Sequence, residues 1–159
     1  MNPPVKPVPE GYHSITPYLI VKNAKDAIEF YKSVFDAREK DLLVMPDGKI
    51  GHAELIIGNS VIMLADEFPD IGALSPETVG GSPVSILVYL EDVDLVFQRA
   101  LDAGATQEKP VENQFYGDRS GSIKDPFGHK WTIATHVEDV SPEEMKNRAE
   151  ALFGGNGSC

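Results

Sequence analysis

The chain has 159 residues, 42% of them hydrophobic and 25% charged. That is one ordinary globular domain or two very small ones, able to bury about 68–70% of its unfolded surface without a metal or disulfide staple. Fourteen Lys and Arg stand against 25 Asp and Glu, a net charge of −11, which argues against nucleic acid and anionic membrane surfaces as partners. The single cysteine, Cys159, closes no intramolecular disulfide and fits a reducing, cytoplasmic compartment.

Residues 1–9 hold four prolines and no apolar core of an export signal. The longest apolar runs, such as Leu55-Ile56-Ile57 and Val61-Ile62-Met63-Leu64-Ala65, fall far short of the roughly 20 residues that span a bilayer. Residues 1–11 are expected as a Pro-rich arm, either a disordered tail or a strap laid along a partner subunit. Ile15 to Val21 predicts a strand. Asn23 caps a helix over Ala24 to Asp36, whose Ala24, Ala27, Ile28, Tyr31 and Phe35 form one apolar stripe. Strands are expected over Arg38 to Met45, Ile50 to Ile57 and Ser60 to Ala65, separated by the turns Pro46-Asp47-Gly48 and Gly58-Asn59.

A Gly-, Pro- and Ser-rich linker, residues 66–83, follows, and then the pattern recurs. Ser85 to Leu90 predicts a strand, and Asp92 caps a helix over Val93 to Ala103 closed by Gly104. Thr106 to Glu112, Tyr116 to Lys124 and Lys130 to Thr135 predict strands, the last two joined by the turn Asp125-Pro126-Phe127-Gly128. Ser141-Pro142-Glu143-Glu144 is a capping box with proline at the first helical position, so Pro142 to Phe153 predicts a helix stopped by Gly154 and Gly155. At one offset of 69 residues, Thr16 meets Ser85, Asn23 meets Asp92, Gly58-Asn59 meets Phe127-Gly128 and Met63 meets Thr132. The chain is thus expected to be α+β, two tandem βαβββ modules forming a curved, mostly antiparallel sheet around a cleft. Module one covers residues 12–65 and module two residues 84–136 of a single domain at 12–136, with a helix and tail at 137–159.

These features resemble the vicinal oxygen chelate superfamily of glyoxalase I, bleomycin resistance proteins and extradiol dioxygenases. The resemblance rests on Thr16-Pro17-Tyr18-Leu19-Ile20-Val21, Ala27-Ile28-Glu29-Phe30-Tyr31 and Gly51-His52-Ala53-Glu54-Leu55. Tyr116-Gly117-Asp118-Arg119-Ser120-Gly121 and Asp125-Pro126-Phe127-Gly128-His129-Lys130-Trp131 point more narrowly to its PhnB-like branch. The resemblance implies a homodimer and a small-molecule cleft. It also implies four metal-ligand positions on the first and last strand of each module, which register here at Thr16, Met63, Ser85 and Thr132. Three hydroxyls and a thioether supply no imidazole or carboxylate for a divalent ion, so no metal and no cofactor are expected.

His52 and Glu54 share one strand face, as a base with its orienting partner or as an exposed polar stripe. Arg119 offers a planar fork for an anion or, more plainly, an ion pair with one of the many acids. Tyr18, Met63, Tyr89 and Tyr116 are candidate ligand contacts or core residues, and Trp131 is expected in the core. His129 is expected to face solvent, and His136 lies near Glu138 and Asp139. The expected function is metal-independent binding of a small organic ligand. The alternatives are an enzyme in the same cleft, with His52 and Glu54 in acid–base roles and Arg119 stabilising an anion, or a metal-dependent glyoxalase-like lyase.

Overall fold

The computed structural model describes residues 1–154, which divide into two compact units. The first is Met1–Val84 together with Asp125–His129, and the second begins with Ser85–Lys124 and resumes at Lys130. Gly155 and Cys159 lie outside the described residues.

The first unit holds β1 (Tyr18–Val21), α1 (Ala24–Phe35), β2 (Arg38–Val44), β3 (Ile50–Ile57) and β4 (Ser60–Asp66). Its sheet has the order β1-β4-β3-β2, parallel between β1 and β4 and antiparallel elsewhere. The Asn23 side chain accepts from the Asp26 amide at 3.2 Å, which fixes the start of α1. The helix buries its predicted stripe and also Phe30 and Val34, against a sheet face where Ala53 and Leu55 are fully buried. β1 begins at Tyr18 rather than Ile15, because Pro17 has no amide to give a ladder; the Pro17 carbonyl instead accepts from the Met63 amide at 2.9 Å.

The linker after β4 is built rather than loose. It carries a short 3-10 turn (Pro69–Ile71) and the one-turn helix α2 (Pro76–Val79). Phe68 and Ala73 exchange two backbone hydrogen bonds, 2.8 and 3.1 Å. Glu67 Oε1 accepts from the amide of fully buried Ser75 at 2.8 Å. Hydrogen bonds from Thr78 and Ser75 hold the Glu67 carboxyl below its ordinary range.

The second unit repeats the plan. It contains β5 (Ser85–Tyr89), α3 (Val93–Asp102), β6 (Thr106–Asn113), β7 (Asp118–Lys124), β8 (Lys130–His136) and the C-terminal α4 (Pro142–Phe153), in sheet order β5-β8-β7-β6. The strands thus form two four-stranded sheets, each with one parallel pair. Asp92 accepts from the Leu95 amide at 3.1 Å and Ser141 from the Glu144 amide at 3.2 Å, so both sequence-read caps form. β7 starts at Asp118 rather than Tyr116. Gly117, at φ +100°, turns the chain there, and a Cβ on it would fall 2.1 Å from the Glu138 carbonyl oxygen.

The repeat is not one unbroken offset. Tyr18↔Met63 and Leu87↔Thr132 are paired 69 residues apart, as are the caps Asn23 and Asp92. Glu54 pairs with Met63, however, while Ser122 pairs with Thr132, so β3 maps onto β7 at an offset of 68. The longer turn at residues 125–129 absorbs the extra residue. That turn is part of the first unit. Tyr31 donates to Asp125 Oδ2 at 2.5 Å, and Phe127 meets the Phe30 ring edge-on. His129 is therefore not a solvent-facing side chain, and its Nε2 lies 2.9 Å from the Ile20 carbonyl oxygen.

Candidate functional site

Residues two apart on a strand share a face. In the first unit the register aligns Tyr18, Met63, Glu54 and Asp41 in one row across β1, β4, β3 and β2, with His52 opposite Leu43. α1 packs on the other face, so Ala53 and Leu55 are buried there and His52 and Glu54 turn away from the helix. Glu54 is no part of an exposed stripe, being only 7% exposed.

A chain of hydrogen bonds crosses this face. The Tyr12 hydroxyl donates to Glu54 Oε1, His52 Nε2 lies 2.8 Å from Glu54 Oε2, and His52 Nδ1 lies 2.9 Å from the Tyr18 hydroxyl. An ionised carboxylate only accepts, so the bonded His52 proton sits on Nε2; in the neutral ring Nδ1 then accepts the Tyr18 O–H. The Tyr12 hydrogen bond holds the Glu54 carboxyl below its ordinary value; burial opposes this and the His52 bond adds to it. The same bond pushes the Tyr12 phenol up to about 12. Burial first, and the Glu54 charge second, raises Tyr18.

Tyr18 lines a cavity of about 750 Å³ whose wall is otherwise chiefly Ile20, Leu43, Met45, Ile50, Phe68 and Ile71. A volume of this size suits a small organic molecule. Its charged rim is Asp47, Asp66 and Glu67 against Lys49. Both Asp66 oxygens are engaged, by the Ala24 amide at 2.8 Å and the Ile50 amide at 2.7 Å. A second cavity of about 410 Å³ is lined by Pro7, Val8, Pro9, Tyr12, Thr16, Glu54 and Met63 among others. Residues 7–9 of the Pro-rich arm are thus laid beside the chain's own Glu54, with the Tyr12 amide bonded to the Pro9 carbonyl at 3.1 Å. The hydrogen-bond chain runs from the wall of one cavity to the wall of the other.

The second unit puts different chemistry at the matching positions. Tyr89, Asp118 and His136 replace Ile20, Ile50 and Glu67 by the offsets above. Asp118, 5% exposed, accepts from the Tyr89 hydroxyl at 2.8 Å and lies 2.8 Å from His136 Nδ1, while His136 Nε2 lies 2.7 Å from Asp139. The bond to Asp118, then that to Asp139, raises the His136 pKa above its ordinary value.

Arg119 is turned to the opposite side, the face that α3 covers. Its Nε and Nη2 each meet an Asp94 oxygen at 2.8 Å, and Nη1 meets Asn113 at 3.2 Å. Strand alternation separates it from Asp118 and Ser120, so the expected anion grip is already closed on a carboxylate of the chain itself. Tyr116 precedes β7, stacked edge-on against Phe115. Trp131 is buried, as expected of a core residue. Met63 is half-buried beside Thr16 in the smaller cavity.

Of the four positions matched to metal ligands, Thr16 donates to the His13 carbonyl at 3.3 Å and Thr132 shares a hydrogen bond with Ser122 at 3.1 Å. Met63 offers a thioether and Ser85 a hydroxyl. This donor set does not fit a divalent ion. Among the described residues no three of His, Cys, Asp and Glu gather so as to hold a metal. The sequence placed His136 near Asp139, as the structure does, but did not reveal Tyr12, Asp118 or the linker's share of the larger cavity. The alternation rule, applied within Asp118-Arg119-Ser120, would have found Asp118.

The family model for the Glyoxalase/Bleomycin resistance protein/Dioxygenase superfamily matches residues 11–133. An uncharacterized protein of Mycobacterium bovis is 42% identical over 136 residues, 84% of this chain and 90% of that one. The PhnB protein of Bacillus cereus has a similar structure at a TM-score of 0.62 and 20% identity, over 77% of this chain and 99% of that one. The fosfomycin resistance protein FosX of Listeria monocytogenes, solved with Mn(II) and sulfate, gives 0.61 at 19% identity, over 86% and 96%. At these identities the two solved structures bear on the fold alone.

Proposed function

We propose, from the premise that this chain belongs to the Glyoxalase/Bleomycin resistance protein/Dioxygenase superfamily, that it binds a small organic molecule in the 750 Å³ cavity of its first unit without a metal ion. The observation that carries this reading is a cavity lined chiefly by apolar side chains, with Asp47, Lys49, Asp66 and Glu67 among its residues and with Tyr18 backed through His52 by the buried Glu54 carboxylate. The apolar wall supplies affinity by removing hydrocarbon from water, and the polar group orients the ligand. Three acids against one lysine at the rim favour an uncharged or cationic ligand over a carboxylate. The hydroxyl and thioether donors at Thr16, Met63, Ser85 and Thr132 support metal independence.

The test is a fluorescence titration with Nile red, a neutral amphipathic dye. Saturable one-to-one binding is expected, weakened at least about tenfold by Leu43→Trp and Ala73→Trp, which push an indole into the cavity from residues that are not fully buried. Binding of equal strength in wild type and both variants would overturn the assignment. Near-stoichiometric Mn, Fe, Ni or Zn in protein purified without chelator would overturn metal independence. The Glu54–His52–Tyr18 chain favours one further reading, proton transfer to or from a bound substrate, with Glu54 orienting the imidazole. Turnover lost in His52→Ala with Nile red binding retained would favour it. The homodimer implied by the family is tested by sedimentation, where a monomer at micromolar concentration counts against it.

A further inference from the structure

We infer that the Tyr18 oxygen acts as a hydrogen-bond acceptor toward the cavity, so that the ligand carries a donor, a hydroxyl, amide N–H or protonated amine, at the end that meets Tyr18. This inference rests on the binding reading above and names the ligand class for that same cavity.

Each hydrogen along the chain of hydrogen bonds has one place to go. Glu54 brings no hydrogen, and its two oxygens are met by Tyr12 O–H and by His52 Nε2 at 2.8 Å. Tyr12 has one hydrogen and spends it on Glu54. His52 therefore donates from Nε2, and in the neutral ring Nδ1 holds a lone pair 2.9 Å from the Tyr18 oxygen. Tyr18 spends its one hydrogen there. What remains to Tyr18 is lone pairs, and Tyr18 lines the large cavity. A ligand with only acceptors at this point leaves two lone pairs facing each other and gains no bond, whereas a ligand with a donor completes the row. The carboxylate is fixed in place because Glu54 is buried and held from two sides. Burial and the Glu54 charge favour the protonated Tyr18 phenol, and the 2.9 Å contact with the Nδ1 lone pair orients its hydrogen toward His52.

The test uses a matched pair, 2-naphthol and 2-methoxynaphthalene, competing at pH 8 with Nile red. The two probes share an apolar body and an oxygen and differ in the O–H. Wild type is expected to prefer 2-naphthol about tenfold, ~1.4 kcal/mol. Tyr18→Phe is expected to abolish the preference. His52→Ala removes the acceptor for the Tyr18 hydrogen, frees that hydrogen to point at the ligand, and is expected to raise the affinity for 2-methoxynaphthalene. This gain is one that a merely loosened fold would not produce.

Equal displacement by the two probes in wild type, or failure of 2-naphthol to displace Nile red, would overturn the donor requirement while leaving the cavity assignment standing. Persistence of the preference in Tyr18→Phe would likewise sink it. Absence of Nile red binding in wild type is the separate result that removes the cavity reading itself.

Discussion

Substituting Glu54→Gln should invert the polarity of the cavity wall while leaving its shape unchanged. The carboxylate receives two donors, Tyr12 O–H and His52 N–H. An amide of the same size offers one acceptor oxygen and one NH2. With the oxygen kept on Tyr12, the NH2 faces His52 Nε2, and two donors cannot face each other. The ring answers by moving its proton to Nδ1, so Nε2 accepts from the amide and Nδ1–H donates to the Tyr18 oxygen. The Tyr18 hydrogen is then released toward the cavity. Two charge-assisted bonds, about 1.5–3 kcal/mol each, become neutral ones of about 0.5–1.5 kcal/mol. Removing a nearly buried charge offsets part of that loss, leaving a net cost of about 1–2 kcal/mol and a Tm lower by about 3–6 °C. Thermal unfolding by circular dichroism reads the cost, and the naphthol pair reads the polarity. The expected result is a modest fall in Tm with 2-methoxynaphthalene now bound at least as tightly as 2-naphthol. A lowered Tm with the original tenfold preference intact would refute the coupling of Glu54 to Tyr18.

Further outcomes follow from packing and titration. Tyr31→Phe removes a fully buried hydroxyl that donates to Asp125 and should cost about 1.5–3 kcal/mol, read as a lower urea midpoint with an unchanged m-value. Gly121→Ala places a Cβ 2.8 Å from Phe97 Cε2 and 2.9 Å from Val111 Cγ2; the overpacking should cost about 1–3 kcal/mol, measured the same way. His136 has its pKa raised by Asp118 and Asp139, so its stabilisation is complete below the unfolded histidine value of about 6.5 and is lost as pH rises through the higher folded value. The gap in urea midpoint between wild type and His136→Gln should therefore be wide at pH 6 and narrow at pH 9. A constant gap would disprove the linkage.

Local physics made the elements legible. Asn23, Asp92 and Ser141 sit before apolar or capping-box patterns, and all three cap as read. The stripe from Ala24 to Phe35 could be assigned to a core because its period is that of a helix. The strand ends at Ile15 and Tyr116 were misplaced because proline and a left-handed glycine override the β preference of their neighbours. The pairing of His52 with Glu54 followed from alternation, but Glu54 being buried and Tyr12 being its partner depend on where residues 7–12 fold. That is a long-range event with no local signature. For Arg119 the sequence left open an anion grip or an ion pair, and the structure shows the ion pair, with Asp94. Residue type alone does not choose between the two; strand parity does, because it turns the guanidinium to the α3 face where Asp94 stands.

The duplication puts different side chains at corresponding places of the two modules. Both units inherit the same caps and the same parallel first-to-last strand pairing. In the first, Ile20 and Ile50 both line the large cavity, and Glu67 accepts from Ser75. In the second, Tyr89, Asp118 and His136 reach one another and spend their polarity on mutual hydrogen bonds. A backbone plan repeated at a fixed offset constrains where side chains stand, not what they do. Where the first unit has Ile20 and Ile50, the second has Tyr89 and Asp118, which hydrogen-bond to each other. By the same reasoning, the proposed metal independence rests on residue type, since hydroxyls and a thioether stand at Thr16, Met63, Ser85 and Thr132. Met63 stands in one row with Tyr18 and Glu54, and His52, on the same sheet face, links those two by hydrogen bonds.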